Sequence, residues 1–369
     1  MLLKTKKNIT VALAMSGGVD SSVSALLLKK RGFSVIGISM HLIPAGDSYC
    51  SGEKSCCSVE DLLDAKKIAV KLGIPHFSIN LKDEFRSLVI NPFIEEYISG
   101  KTPNPCIRCN NYLKFGILLK RAEELGADMM ATGHYARVSR DTNGRCYLLK
   151  SRDLSKDQSY VLYNLDQERL KKIIFPVGNL SKESVRGIAR DSGFNEISLK
   201  KDSMDICFVP GGDYSLFIGK AVPEKIRLKK GAIKNSMGET IGEHAGIQNY
   251  TVGQRKGLGI SSKTPLYVTG ISPEKNEIFV GPAENCYNYE MKIGDFNFIT
   301  PCLSEKIGSM DLTVKIRYSS SAHPCRVSFS GTDKSSVKVL FKYPVKFIAP
   351  GQSAVLYSGQ KVIGGGIIG

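Results

Sequence analysis

No run of the 369-residue sequence comes near the roughly 18 consecutive apolar residues that a membrane-spanning helix needs; the most apolar stretch near its start, Ile9–Met15, is far shorter. The same brevity argues against a secretory leader, since Met1–Asn8 leads into a glycine turn and not into a cleavage site. There is no internal repeat and no low-complexity tract. Cysteine is too sparse for a disulfide scaffold, ten residues in a chain long enough to stand without staples. These absences exclude a membrane span and a stapled secreted module, and they predict a cytoplasmic protein without a membrane partner.

What is present is ordinary globular material. Hydrophobic residues make up 42% and charged residues 23%, which excludes global disorder. Single cores rarely exceed roughly 250–300 residues, so this length predicts two or three domains. Fifty-one basic against 35 acidic side chains leave a net charge of +16. That surplus favours a polyanionic partner, because neutralising phosphates releases counterions.

Strand and helix alternate through the first 200 residues. Ile9–Met15, Ser34–Met40, His76–Asn80 and Asp128–Thr132 read as strands, and Ser21–Lys30, Leu62–Leu72, Asn111–Leu125 and Ser181–Asp191 as helices. Near-continuous apolar runs between helices predict a doubly wound parallel α/β sheet with right-handed crossovers. After Lys200 the helical period thins, Asp213–Gly219 remains as one short helix, and glycine-rich strands take over from about Lys225. Alternation at Thr313–Tyr318 sets Val314, Ile316 and Tyr318 on one side; with Val337–Phe341 and Ser353–Tyr357 it predicts a small C-terminal antiparallel β-barrel. The expected divisions are 1–212, 213–284 and 285–369.

The most informative residues are Met15-Ser16-Gly17-Gly18-Val19-Asp20-Ser21-Ser22, between strand and helix. Two glycines let consecutive N–H groups face one anion, the helix start adds its positive end, and the hydroxyls of Ser16, Ser21 and Ser22 add donors. Lysine is missing from the loop, so it is not a Walker A sequence. Asp20 is placed to help hold Mg2+. The plainer reading is a tight turn capped by serines; position at the first βα turn, where such folds bind nucleotides, favours phosphate.

Thr102-Pro-Asn-Pro-Cys106-Ile-Arg-Cys109 runs into the predicted Asn111 helix. A helix start and Arg108 would both stabilise a Cys109 thiolate, the form needed for a nucleophile, sulfur carrier or metal ligand. Cys207 sits downstream in a loop-like setting. Taken alone, one CxxC more often means a half-site for zinc or two buried cysteines; Cys50, Cys56 and Cys57 are the other cluster, as compatible with packing or a mobile loop as with a zinc knuckle.

The SGGVDS loop resembles that of the PP-loop ATP pyrophosphatases, which cleave ATP between the α and β phosphates and adenylate an acceptor. Together MSGGVDSS, TPNPCIRCN, ATGHYAR, KDQSYVLY, ICFVPGGDY, YTVGQRKGLGI, TVKIRY and APGQSAVLY resemble, in order and over nearly the whole chain, the MnmA-type tRNA-specific 2-thiouridylases. The resemblance implies a PP-loop (adenine nucleotide alpha hydrolase-like) catalytic domain, then a small mainly-β central domain and the barrel, both contacting tRNA. It implies ATP-dependent 2-thiolation of the wobble uridine in the anticodon stem-loop of the tRNAs for Lys, Glu and Gln, with Mg2+. Carried over by position, Ala14, Met15, Ser16, Gly17, Gly18, Val19, Asp20 and Ser21 bind ATP, with Met40 and Gly133 at its adenosine. Asn104, Pro105 and Cys106 meet the target base; Cys109 matches the nucleophile and Cys207 the persulfide carrier. His134, Lys156, Asp157, Gln158, Arg317, Tyr318 and Gln352 match tRNA-contacting positions. The sulfur implies a donor such as a cysteine desulfurase or a sulfur relay protein.

One departure matters. Many family members carry aspartate where this chain has Cys106. A cysteine there, with a Cys-Cys-Ser segment like Cys56–Ser58, marks a subset associated with a 4Fe–4S cluster, for which Cys106, Cys109 and Cys207 are the candidate ligands. The expectation leans to that cluster over a Cys207 persulfide that would end in a Cys109–Cys207 disulfide. Two other function classes stand beside thiolation: a small-molecule PP-loop amidating synthetase, and a noncatalytic RNA-binding protein stabilised by zinc.

Overall fold

The computed structural model describes residues 9–43, 59–200, 206–221, 229–305, 307–329 and 335–369. Cys50, Cys56 and Cys57 therefore lie outside the described residues. Packing divides the chain into two units, the first reaching to Leu88 and including Cys106–Gly212 and Gln360–Val362, the second formed by Val89–Pro105, Asp213–Gly359 and Ile363–Gly369. Among the described residues no helix is long and apolar enough to cross a membrane.

The first unit is built on a parallel sheet. Its strands are β1 (Thr10–Ala14), β2 (Ser34–His41), β3 (His76–Asn80), β4 (Met129–Ala131) and β7 (Ile173–Ile174), in the order β3-β2-β1-β4-β7. The chain winds outward from β1 in both directions, so the loops after β1 and β4 part company at the sheet's carboxyl edge, which is where such folds leave a crevice. Helices α1 (Val19–Lys30) and α2 (Val59–Leu72) cover the sheet. Val11, Leu13, Val23, Leu28, Ala65, Ala69 and Val185 fill the layer between sheet and helices. A hairpin of β5 (Ala136–Arg140) and β6 (Cys146–Lys150) follows β4.

One predicted element begins elsewhere. The helix assigned from Asn111 starts at Pro105: it runs as an α-turn over Pro105–Arg108, as a π-helix over Cys109–Leu118, and as α-helix again over Leu119–Glu124. Proline needs no N–H donor at a first helical position and its fixed φ suits one, so it opens the helix instead of holding the approach extended. Cys109 is consequently not at the helix start; it lies one turn in, three residues after Cys106 and on the same side of the helix.

The second unit is β-rich. A four-stranded sheet, β10-β11-β8-β9, joins β8 (Gly231–Lys234), β9 (Thr240–His244), β10 (Tyr267–Ser272) and β11 (Glu277–Gly281), over a core of Ile233, Tyr250, Val268 and Ile278. Then β12 (Tyr287–Phe298), β13 (Leu312–Lys315), β14 (His323–Phe329), β15 (Val337–Lys346), β16 (Ser353–Ser358) and β17 (Lys361–Ile368) form a barrel in the order β12-β15-β14-β13-β16-β17, which β12–β17 pairing closes. Closure removes exposed sheet edges. Inside lie Ile293, Val314, Val339, Leu356 and Ile363. Tyr318 departs from its predicted side: β13 ends at Lys315, the chain turns, and the ring is 41% exposed.

Candidate functional site

The phosphate loop leaves β1 at Ala14 and enters α1 with Gly18 as N-cap, so the open N–H end of α1 faces the loop. Gly17 holds φ at +73°, a conformation that costs other residues about 1–2 kcal/mol. A Cβ there would stand 2.0 Å from the Asp61 carbonyl oxygen, so α2 packs directly on the loop. Gly133, after β4, fits as tightly from the other side: its Cβ would lie 2.9 Å from the backbone of both Asp20 and Ser21.

The serines divide their work differently from the sequence expectation. Ser21 and Ser22 donate their hydroxyls to the Gly18 carbonyl at 3.0 and 2.9 Å, and both are buried. They brace the loop, and only Ser16 is exposed. Ser39 on β2 donates to the Met15 carbonyl at 2.7 Å, while Met15 N–H donates to Ile38 O, so the loop's first residue is pinned on both sides. Met40, buried, adjoins them on β2.

Two lysines reach the loop from distant sequence. Lys182, first in the helix Lys182–Asp191, contacts the Asp20 carboxylate at 2.8 and 2.9 Å, and the Tyr135 hydroxyl donates to the same carboxylate at 2.8 Å. Lys200 bonds Asp61 at 2.8 Å and Asp64 at 2.7 Å and lies 3.4 Å from the Gly17 carbonyl. Burial opposes its charge, but those two carboxylates outweigh that cost, and its pKa stands above the ordinary lysine value. The loop without a lysine thus acquires two by tertiary packing. No motif flagged either; the sole signal was that a phosphate nest lacking its own cation needs one from elsewhere.

Cys106, Cys109 and Cys207 belong to the same unit as the loop. Cys106 is exposed, and Cys109 and Cys207 are half-buried. Phe208, beside Cys207, is buried edge-on against Phe85 at 5.5 Å, and Lys82–Phe85 packs on the π-helix that Cys109 opens. Arg108 Nε donates to the Leu88 carbonyl at 2.9 Å, and its guanidinium lies over the Tyr112 ring. Asn110 donates to the Val161 carbonyl at 3.2 Å, and its Oδ1 is a buried acceptor without a hydrogen-bond partner.

Among the described residues no three His, Cys, Asp or Glu side chains are gathered to hold a metal ion. For an iron–sulfur cluster, Cys106, Cys109 and Cys207 remain the candidate ligands that the resemblance implies, all three within the first unit. A covalent Cys109–Cys207 link is not seen either, and no disulfide exists among the described residues. For Mg2+, Asp20 is the loop's carboxylate and Lys182 occupies it; the remaining oxygens of a magnesium shell are of the kind phosphates supply.

The expected tRNA-facing side chains split between the units. In the first, His134 is buried against Phe115 and Phe175, with Thr132 at 2.7 Å from Nδ1, and burial holds its pKa well below the usual histidine value. Asp157 accepts from the backbones of Ser151 and Ser159 and from the Ser159 hydroxyl, and Gln158 accepts from Tyr135 N–H. Lys156 is half-buried in the short turn before them. In the second, Thr102 N–H donates to the Pro350 carbonyl at 2.8 Å, tying the segment before Asn104 and Pro105 to the one before Gln352. Arg317 donates to the carbonyls of Val252 and Phe347 at 3.0 and 2.8 Å.

Three family models match along the chain: a tRNA methyl transferase HUP domain at residues 9–211, a tRNA methyl transferase PRC-barrel domain at 217–282, and an aminomethyltransferase beta-barrel domain at 288–368. The chain is similar to the tRNA-specific 2-thiouridylase MnmA 1 of Caldanaerobacter subterraneus subsp. tengcongensis, 47% identical over 365 residues and 98% of each chain. It is also similar to the tRNA-specific 2-thiouridylases MnmA of Clostridium perfringens, at 43% over 99% of each chain, and of Clostridium acetobutylicum, at 44% over 98% of this chain and 99% of that one.

Proposed function

The chain belongs to the MnmA family of tRNA-specific 2-thiouridylases, and from that membership we propose that it adenylates the wobble uridine of the tRNAs for Lys, Glu and Gln and replaces its C2 oxygen with sulfur. It is a tRNA sulfurtransferase with an ATP-using PP-loop fold; the amidating-synthetase and noncatalytic readings fall away with that membership.

The uridine C2 oxygen is a poor leaving group. Its attack on the α-phosphorus of ATP expels pyrophosphate and converts it into AMP, a good one. Ala14–Ser21 hold the phosphates at the α1 N-terminus, Met40 and Gly133 border the adenosine, and Lys182 and Lys200 bring the cations the loop lacks. Bound Mg2+ would supply charge neutralisation at the phosphates, with Asp20 as its carboxylate. Asn104, Pro105 and Cys106 meet the uracil, which must leave the anticodon stack to be reached.

For the sulfur we take the persulfide route, whose steps this chain's own thiols can carry; a 4Fe–4S cluster held by Cys106, Cys109 and Cys207 is the other source that the resemblance implies. A donor such as a cysteine desulfurase or a sulfur relay protein charges Cys207, and the terminal sulfur attacks C2 as AMP departs with the bonding pair. Cys109 thiolate then attacks the Cys207 sulfur; the S–S bond breaks toward C2, releasing 2-thiouridine and leaving a Cys109–Cys207 disulfide that an external thiol reduces. The observation that carries this reading is one packed unit holding the phosphate loop together with Cys106, Cys109 and Cys207.

The test is thiolation of an unmodified tRNA transcript with ATP, Mg2+ and a persulfide donor, reading 2-thiouridine and AMP together. Wild type forms them one to one, whereas Cys109→Ala and Cys207→Ala each abolish thiolation and still bind tRNA. Full thiolation by either variant overturns the sulfur scheme. ATP consumption without any tRNA overturns the adenylation scheme.

A further inference from the structure

The outer face of the barrel presents a feature that the reaction has not used. Strands β12, β15 and β14 are neighbours, and their alternation sends Met291, Ile293, Val337, Val339, Cys325 and Val327 inward. What remains outside is ordered in rows by the register. Lys292 stands directly opposite Lys338, and Lys338 opposite Ser328; in the next row Glu290 stands opposite Leu340, and Leu340 opposite Arg326. Like charges in register destabilise a sheet unless something anionic bridges them. The one carboxylate in these rows, Glu290, reaches Lys338 at 2.7 Å, and Asp295 follows farther along β12. With Lys342 and Lys346 on β15, the face carries five cations against those two acids.

Its aromatic side chains are placed as deliberately. Between the pairs Asn288–Val345 and Glu290–Leu340, β12 has one residue, Tyr289, while β15 has Phe341, Lys342, Tyr343 and Pro344. Bulges of this kind re-aim side chains and accept a proline. Here they leave Tyr289 65% and Tyr343 63% exposed, with Leu340 at 46% between the lysine rows. Lys346 lies 4.4 Å over the Tyr287 ring and Lys342 5.5 Å from that of Tyr343. Lysines interleaved with open tyrosine rings suit a chain that offers both phosphates and flat bases. An acidic protein surface would use the lysines and leave the rings without a stacking partner.

We infer that the outer face of β12, β15 and β14, centred on Lys292, Lys338, Lys342, Tyr289 and Tyr343, is a second RNA-contact surface that grips the substrate tRNA independently of its sequence. It rests on the tRNA reading above and adds a docking face lying wholly within the second unit.

The test compares tRNA binding by the full chain with that of K292Q/K338Q/K342Q, of Y289A/Y343A, and of K292R/K338R/K342R, by anisotropy over a salt series. The glutamine triple should bind at least tenfold more weakly, with the slope of log affinity against log salt reduced by about two; the tyrosine pair should weaken binding with little change of slope, and the arginine triple should match wild type. At saturating tRNA the kcat for AMP formation should stay unchanged while KM rises. Wild-type affinity and slope in the glutamine triple overturn the inference. So does unchanged tRNA affinity combined with thiolation lost from a protein sulfur donor and restored by inorganic sulfide, which would make the face a protein-docking surface. Failure of the wild type itself to bind or thiolate tRNA is the separate failure of the functional reading.

Discussion

Both carboxylate oxygens of Asp20 lie within 2.9 Å of the Lys182 ammonium, across 162 residues of sequence. Asp20 stands in the first turn of α1 and Lys182 at the start of another helix; a triphosphate bound as proposed would also seek a cation there, so phosphate and Asp20 would compete for Lys182. Removing the lysine leaves Asp20 as bare negative charge beside the phosphates. Lys182→Ala should therefore cut tRNA-dependent pyrophosphate release by about 10²–10³-fold, the cost of losing one preorganised electrostatic partner, while tRNA affinity holds. Pyrophosphate release at the wild-type rate would remove Lys182 from the site.

Gly133 and Gly17 offer a steric probe of the same loop. A methyl group at 133 has no room, with the Asp20 and Ser21 backbones at 2.9 Å, and one at 17 faces both a positive φ and the Asp61 carbonyl. Gly133→Ala should raise the ATP dissociation constant about tenfold or more by displacing the start of α1, and Gly17→Ala further still, since backbone strain of about 1–3 kcal/mol adds to the collision. Nucleotide titration followed by melting of the same samples checks this. Unchanged ATP affinity in Gly133→Ala would mean the nucleotide does not use this end of α1.

The sheet and the loop were legible because apolar runs and a glycine turn are local signals: β3 coincides with its predicted span, and the turn lies between β1 and α1 as expected. What escaped was non-local or ambiguous. Lys182 and Lys200 are ordinary surface-type residues until tertiary packing brings them to Asp20 and Asp61. Pro105 reads equally as a break or a first helical residue, and the wrong choice moved Cys109 to a helix start. The bracing bonds of Ser21 and Ser22 to the Gly18 carbonyl were not legible either, because a hydroxyl that caps a loop and one that faces a phosphate share the same sequence. In the barrel, the bulge at Tyr289 and Tyr343 depends on register, which alternation alone does not reveal.

Arg317 and Tyr318, adjacent in sequence, should separate experimentally. Arg317 donates to two backbone carbonyls, Val252 and Phe347, inside the second unit, and Phe347 itself holds φ at +61°. Arg317→Ala should destabilise the protein by roughly 1–3 kcal/mol, since two part-buried carbonyls lose a charged donor. Tyr318→Ala, at an exposed ring, should change stability by less than about 0.5 kcal/mol and weaken tRNA binding. Urea titration and tRNA anisotropy on both variants give the comparison; equal stability of the two would deny Arg317 its clamping role.

The buried His134 ties stability to pH. Burial first, and the charge of Lys114 second, hold its pKa well below 6.5 in the folded chain. An unfolded chain takes up a proton there near pH 6.5 while the folded one does not, so the unfolded state binds more protons below that pH. The stability it contributes is complete above pH 6.5 and declines as pH falls toward the folded pKa, by up to about 1.4 kcal/mol per pH unit. His76, His244 and His323 shift in the same direction, each chiefly through burial. Unfolding free energy from urea titrations should therefore be lower at pH 5.5 than at pH 7.5, and His134→Asn should flatten that difference by about 1 kcal/mol, the remaining slope belonging to the other histidines. An identical pH slope in the variant would show that folded His134 accepts a proton as readily as the unfolded chain, and a neutral ring packed between Phe115 and Phe175 would then be the wrong description of that pocket.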